Sequence, residues 1–365
     1  MSRRKPSYFR MLLAVGGLSA ILPLGTVFGK PLQSEIDRLF AKWDRPESPG
    51  CAVGVIQDGE LVFEKGYGMA DVEGGKAIDG RTLFNAATLS RYFTGAAAAW
   101  LIDNGAIHLG DNIRVCVPEM PRVEPAITVE DLIYHTSGLA DYTAVWKKSG
   151  MGETDDALEI VDLLAEARLQ FVPGRRVGVS RGNYFMLGFV SGRVVSASLA
   201  EWAEGVIFGP AGMESTVFCD HPEKMPAGAV GYKPKLFGGY ARAVNPLPRI
   251  AGDVGLYTNL VDLAAWEKSV MERKPNTAGF YDLLERTGKT EGGRPIDYAF
   301  GLDVGKYRGL KVFSHFGRAN GFSAGMMRFP EKRMTVICLS NLESIQTAPF
   351  VKKVADLYLG RDWER

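Results

Sequence analysis

A chain of 365 residues, 46% hydrophobic and 23% charged, has the apolar content for a large buried core, which excludes an intrinsically disordered protein. A formal net charge of +1, with Lys and Arg scattered along the chain, leaves no basic stripe of the kind that binds nucleic acid. The cysteines (51, 116, 219, 338) and histidines (108, 135, 221, 315) show no metal-ligand spacing, so no metal and no cofactor is expected.

In chain order, Arg3-Arg4-Lys5 precedes an apolar run over 11–24, and Val27-Phe28-Gly29 then offers small residues at a cleavage site. This pattern predicts a secretory signal peptide over 1–29, hence a periplasmic or secreted protein; an uncleaved anchor is the alternative, and no other stretch is long enough to span a bilayer. The periodicity then predicts a helix over 32–43 and a hairpin over 51–68 turning at Asp58-Gly59. A buried helix is expected over 88–104, ended by Gly105. Helices follow over 129–134, 155–166, 183–195 and 199–207, the last stopped at Gly209-Pro210. Another covers 262–271. Alternating strands return at 302–307, 311–316, 323–329 and 335–340, and a helix closes the pattern over 348–359. Strands at both ends with helices between imply an α/β (α+β) fold: a sheet domain from 30–110 and 245–365, and a helical domain from 111–244. Four cysteines allow three pairings, and Cys51 and Cys338 in apolar strands read as buried thiols.

Several stretches occur together in a telling order: the 51–68 hairpin, Phe84 to Ala96 around Thr88-Leu89-Ser90-Arg91, Ile127 to Leu139 with His135-Thr136-Ser137-Gly138, Phe171-Val172-Pro173-Gly174, Asn183 to Gly188, Pro210 to Met213, Ala251 to Thr258, and His315-Phe316-Gly317. In this order they resemble the serine β-lactamase and penicillin-binding-protein-like hydrolases, in the branch of class C β-lactamases, esterases and D-amino-acid peptidases. The resemblance covers nearly the whole chain. It implies an antiparallel sheet flanked by helices beside a helical domain, with a cleft between them. It also implies Ser-x-x-Lys as nucleophile and base, Tyr-x-Asn as a second acid/base with a substrate-binding amide, and a Lys/His-x-Gly strand at the oxyanion hole.

This chain keeps the third motif and departs from the first two. Thr88 and Arg91 stand where the resemblance places Ser and Lys, and Val179-Ser180-Arg181 stands where it places Tyr-x-Asn. Guanidinium stays protonated at any working pH, so Arg91 cannot act as base, and Val179 carries no hydroxyl. Thr88 and His315 are the candidate catalytic residues if the site is active, with His315 as general base. Arg91, Ser180, Arg181, Gly317 and Arg318 are the candidate substrate-binding residues. The arginines suit a carboxylate, phosphate or sulfate; alternatively they are tied to neighbouring carboxylates and only hold the site together. The amides of Thr88 and Arg318 would supply an oxyanion hole. His135-Thr136-Ser137-Gly138 reads as packing beside the cleft, and Tyr184 as a core residue of the next helix.

Three functions are open to such a chain. The first is a non-hydrolytic binding protein, a pseudoenzyme, holding a small anionic or acylated ligand. The second is an enzyme with rewired chemistry, through Thr88 acyl transfer with His315 or through a proton-transfer isomerisation or cyclisation. The third is an ordinary serine-type esterase, peptidase or β-lactamase. The expected partner is a small molecule, with no nucleic acid and no membrane span once the signal is removed.

Overall fold

The computed structural model describes residues 30–360 apart from 153, 155, 221–224, 245–250 and 274–276. The expected signal peptide and His221 therefore lie outside the described residues.

A seven-stranded antiparallel sheet organises the molecule. Its strands are β1 (Cys51–Gln57), β2 (Glu60–Tyr67), β3 (Tyr298–Ala299), β4 (Leu302–Tyr307), β5 (Leu310–Ala319), β6 (Phe322–Phe329) and β7 (Met334–Ser340). In space they run β3-β4-β5-β6-β7-β1-β2, so the late meander accepts the opening hairpin along β7, with Val53 opposite Cys338. Four of the turns are two-residue loops with both φ values positive, at Asp58-Gly59, Phe300-Gly301, Arg308-Gly309 and Asn320-Gly321. That is the type I′ pattern, whose twist matches the twist of the strands it joins.

The central strands are buried on both faces and alternate between two cores. Cys51, Val53 and Val55 of β1, with Val336 and Cys338 of β7, face one cluster that includes Ile36, Phe40, Val351 and Val354. These come from α1 (Lys30–Phe40) and the C-terminal helix Thr347–Leu359. Ala52 and Ile56, with Ile337 and Leu339, face the larger cluster shared with the helical body. A period-two side-chain pattern thus feeds both layers from a single strand.

The helical body comprises α2 (Ser90–Asp103), α3 (Val129–Ile133), α4 (Tyr142–Ser149), α5 (Ala157–Glu166), α6 (Arg181–Val195), α7 (Leu199–Ala203), α8 (Leu260–Glu272) and α9 (Ala278–Leu284). The stretch expected as one helix over 199–207 is α7 followed by a π-helical turn, Glu204–Phe208. Helix α2 is buried almost throughout and packs on α6. Its Gly95 admits the β3–β4 turn, because a Cβ there would lie 2.2 Å from the Phe300 carbonyl oxygen. The capping box Thr128/Asp131 starts α3, and Ser180 caps α6. Beside the sheet, Tyr232–Pro234 and Tyr240–Arg242 pair as a separate hairpin.

Candidate active site

Thr88 lies on a 3₁₀ turn, Ala87–Leu89, that leads into α2. Three polar contacts build this turn. Asn85 Oδ1 accepts from the Ala87 amide at 2.9 Å, Ser90 Oγ donates to the Ala87 carbonyl at 2.7 Å, and the Leu256 amide donates to Ser90 Oγ at 3.1 Å. Ala87 has a φ of +50°, a left-handed conformation that disfavours a Cβ, and it is held by packing against Val254 and Ala319. The result is a sharp approach that presents Thr88 to β5.

Strand β5 lies directly across Thr88. A Cβ on Gly317 would sit 2.0 Å from Thr88 Oγ1 and 3.1 Å from its amide nitrogen, so only glycine lets this backbone pass. Two residues earlier on the strand, His315 Nε2 is 2.9 Å from Thr88 Oγ1. His315 Nδ1 is 2.8 Å from the Gly301 carbonyl oxygen. Because a carbonyl only accepts, Nδ1 carries the proton and Nε2 accepts from the threonine hydroxyl. Burial, and then the nearby positive charge of Arg91, push the His315 pKa down to about 3 against a smaller opposing effect of the Gly301 bond. The imidazole is therefore neutral and oriented, yet reluctant to take a second proton.

Arg91, one helical turn after Thr88, is committed to a carboxylate. Its Nε and Nη2 both lie 2.6 Å from Asp253 Oδ1, and both side chains are almost wholly buried. Burial alone would lower the Arg91 pKa, but Asp253 raises it, fixing the guanidinium charge. Arg181 Nε reaches the other oxygen, Oδ2, at the longer distance of 3.7 Å, with its side chain 20% exposed. Two cations thus share one anion. The structure places Arg91 and Arg181 on the same carboxylate, so part of their charge is matched from within.

The remaining candidates are distributed around this centre. Ser180 Oγ accepts from the Gly182 amide at 3.1 Å and donates to the Ala140 carbonyl at 2.8 Å, the duties of a helix cap. Arg318 is exposed at the outer end of β5. Val179 is 69% exposed and offers only methyl groups. His135, in the turn after α3, accepts from Asn183 Nδ2 at Nδ1 (2.9 Å), while Ser137 donates to Asn183 Oδ1, so this signature is built into the packing of α6. Tyr184 is fully buried and donates to the Ile133 carbonyl.

Two participants were not named from the sequence. Asp253 sits in the Ala251–Thr258 stretch as its one charged residue, a visible signal, but nothing local says that its partner is Arg91. The Gly301 carbonyl, which sets the His315 tautomer, is a main-chain group with no side-chain signal at all. Near the ion pair, His135 Nε2, Tyr142 Oη and Asp253 Oδ2 are buried without a hydrogen-bond partner among the described residues. Buried polar atoms left open in this way are places where water or a ligand atom fits. Among the described residues no group of three or more His, Cys, Asp or Glu side chains is placed to hold a metal ion.

Comparison with known proteins bears on the family and the fold. A sequence profile of the beta-lactamase family matches residues 36–358. The D-aminopeptidase of Gluconobacter oxydans (strain 621H) is 28% identical over 320 residues, covering 86% of this chain and 59% of that protein. The D-aminopeptidase of Brucella canis is 27% identical over 307 residues, covering 81% and 57% respectively. The chain thus spans less than two thirds of the length of these curated relatives. Among solved structures, the octameric penicillin-binding protein homologue from Pyrococcus abyssi superposes with a TM-score of 0.78 at 23% identity, covering 92% of this chain and 78% of that one. The penicillin-binding protein from Bacillus halodurans gives 0.76 at 20% identity, covering 89% and 98%.

Proposed function

Since the chain belongs to the beta-lactamase family, we propose that it is an exported, non-hydrolytic member that binds a small anionic or acylated ligand in the family cleft. One observation carries this reading: the group that receives the Thr88 hydroxyl hydrogen bond is a buried imidazole with no carboxylate behind it, and burial and the Arg91 guanidinium push its pKa down. For Thr88 to attack a carbonyl, His315 would have to become imidazolium next to Arg91. Burial and the Arg91 charge both lower the proton affinity of that imidazole, so it is a weaker base than an ordinary histidine and the transfer is disfavoured. In the Ser-His-Asp arrangement a carboxylate stabilises the imidazolium; here the orienting group is a neutral carbonyl.

Binding does not need the proton. The Thr88 amide and the β5 backbone past Gly317 can hold a carbonyl oxygen, since main-chain donors do not depend on side-chain identity. Arg181, with its looser pairing, and exposed Arg318 are the groups open to an anionic end. The curated relatives are named D-aminopeptidases, which makes a dipeptide amide of D-amino acids the first ligand to try. A covalent fluorophosphonate or penicillin probe, read by intact mass, should leave Thr88 unmodified, while calorimetry with the amide should saturate. Absence of any saturable binding would overturn the proposal.

The 2.9 Å Thr88–His315 hydrogen bond favours a second reading, slow acyl transfer at Thr88. An adduct that disappears in Thr88→Ala would establish it. Export is tested by N-terminal sequencing of the mature protein, where retention of residues 1–29 would count against a cleaved leader.

A further inference from the structure

The hairpin Tyr232–Pro234/Tyr240–Arg242 ends in the largest apolar exposure among the described residues. Leu236 is 89% and Phe237 97% exposed, side by side at the tip. The tip is a closed turn, in which the Lys235 amide donates to the Gly239 carbonyl at 3.0 Å and both Gly238 and Gly239 have positive φ. Its base is firmly held. The Tyr232 amide donates to the Asn341 carbonyl at 2.8 Å, the Val72 amide donates to Tyr232 Oη at 2.9 Å, and the Ala243 amide donates to the Gly231 carbonyl at 2.7 Å. A rigid stem therefore holds two large apolar side chains out in solvent.

We infer that this hairpin is a bilayer-contacting finger, with Leu236 and Phe237 entering the interfacial region of an anionic lipid surface. Two observations and one expectation select that occupant. The charges at the stem are matched within the protein, Arg242 by Asp71 and Glu73 and Lys233 by Glu343. Lys235, beside the tip, has no ion pair among the described residues, so the end of the finger is apolar with a cation at its collar, the arrangement that suits acyl chains below anionic headgroups. The exposed apolar surface is also only two side chains wide, far below the roughly 800 Å² per partner of a stable protein interface. The third is positional: the leader pattern at 1–29 is expected to bring the chain to a membrane. The finger's base abuts Gly321, in the turn that follows Arg318, and a Cβ on Gly321 would meet the Ala243 Cβ at 2.4 Å. Contact through the tip would thus set the β5 end of the cleft close to the lipid surface.

The test uses the full chain carrying Phe237→Trp, titrated with vesicles of phosphatidylcholine with and without phosphatidylglycerol, some containing brominated lipid. The emission added by this substitution, relative to the parent protein, should shift to the blue and be quenched by brominated lipid. Leu236→Ser in the same background should weaken the vesicle dependence at least about tenfold. Lys235→Gln should remove the preference for phosphatidylglycerol. An added emission that stays unshifted and unquenched at saturating lipid would overturn the inference, even if the chain associates with vesicles through another segment. So would a lipid-free dimer that Leu236→Ser dissociates, since the tip would then be covered by a second copy.

Discussion

At the scale of single residues, the decisive partner of Arg91 is Asp253, and it changes what restoring the family residues should do. Thr88→Ser with Arg91→Lys and Val179→Tyr puts back three side chains, yet an amine placed against Asp253 would be held protonated by that carboxylate. We expect the triple variant to stay inactive towards p-nitrophenyl acetate. Adding Asp253→Asn should raise turnover by about 10²-fold or more, in line with the usual contribution of a positioned base. Equal activity in the two variants would show that Asp253 does not control the site.

The same residues set a pH response. In the folded chain burial depresses the His315 pKa to about 3, and burial also lowers that of His135, whereas an unfolded chain titrates near 6.5. A depressed pKa gives stability that is fully present above the unfolded value and is lost as pH falls towards the folded one. For His315 this amounts to something on the order of 4 kcal/mol between pH 7 and 3. Urea midpoints should fall steadily below pH 6.5, and less steeply in His315→Gln; a slope identical in the two proteins would remove His315 as the cause. Motif order singled out Thr88, Arg91, Arg181 and His315 as candidates and left pairing of the arginines with carboxylates as one alternative, but it did not name the carboxylate or fix the His315 tautomer. Asp253 lies 162 residues from Arg91, and the Gly301 carbonyl, although only 14 residues before His315, is a main-chain group that leaves no mark in the sequence.

At the scale of elements, short-range chemistry was the readable part. Asp58-Gly59 announced its turn, and the late strands stood out by alternation, so the hairpin and meander were expected where they lie. Helices α4 and α9 were not expected. Tyr142–Ser149 buries only Tyr142 and Trp146, and Ala278–Leu284 is a seven-residue helix, so neither shows a sustained apolar period. Ser180 illustrates the limit of a motif. It was a candidate for substrate contact, and its hydroxyl is engaged in capping α6. Ser180→Ala should therefore lower stability by about 1 kcal/mol while leaving ligand affinity unchanged. A tenfold loss of affinity with an unaltered denaturation midpoint would assign Ser180 to the ligand instead.

For the whole molecule, sheet order follows from burial more than from local sequence. β1 is buried on both faces and pairs with β2 on one side and β7 on the other, so the sheet is continuous only when both distant segments are present. The expectation of an α/β (α+β) fold with strands at both ends captured this pairing, because helices alone could not cover the two apolar faces. A chain shortened to end at residue 333 would lose β7 and the helix Thr347–Leu359, exposing both β6 and β1 along a full edge and opening the core around Phe40 and Val53. It should show no cooperative thermal transition by circular dichroism; a sharp transition like that of the parent would refute the central place of β7.

That closure also dictates timing. A ribosome finishes the opening hairpin some 270 residues before it makes the strand which flanks that hairpin, so during synthesis Cys51–Gln57 waits with one backbone edge unsatisfied. Segments of this apolar character stick to one another when left open. The nascent protein accordingly carries its first strand with an open edge until the last strand arrives.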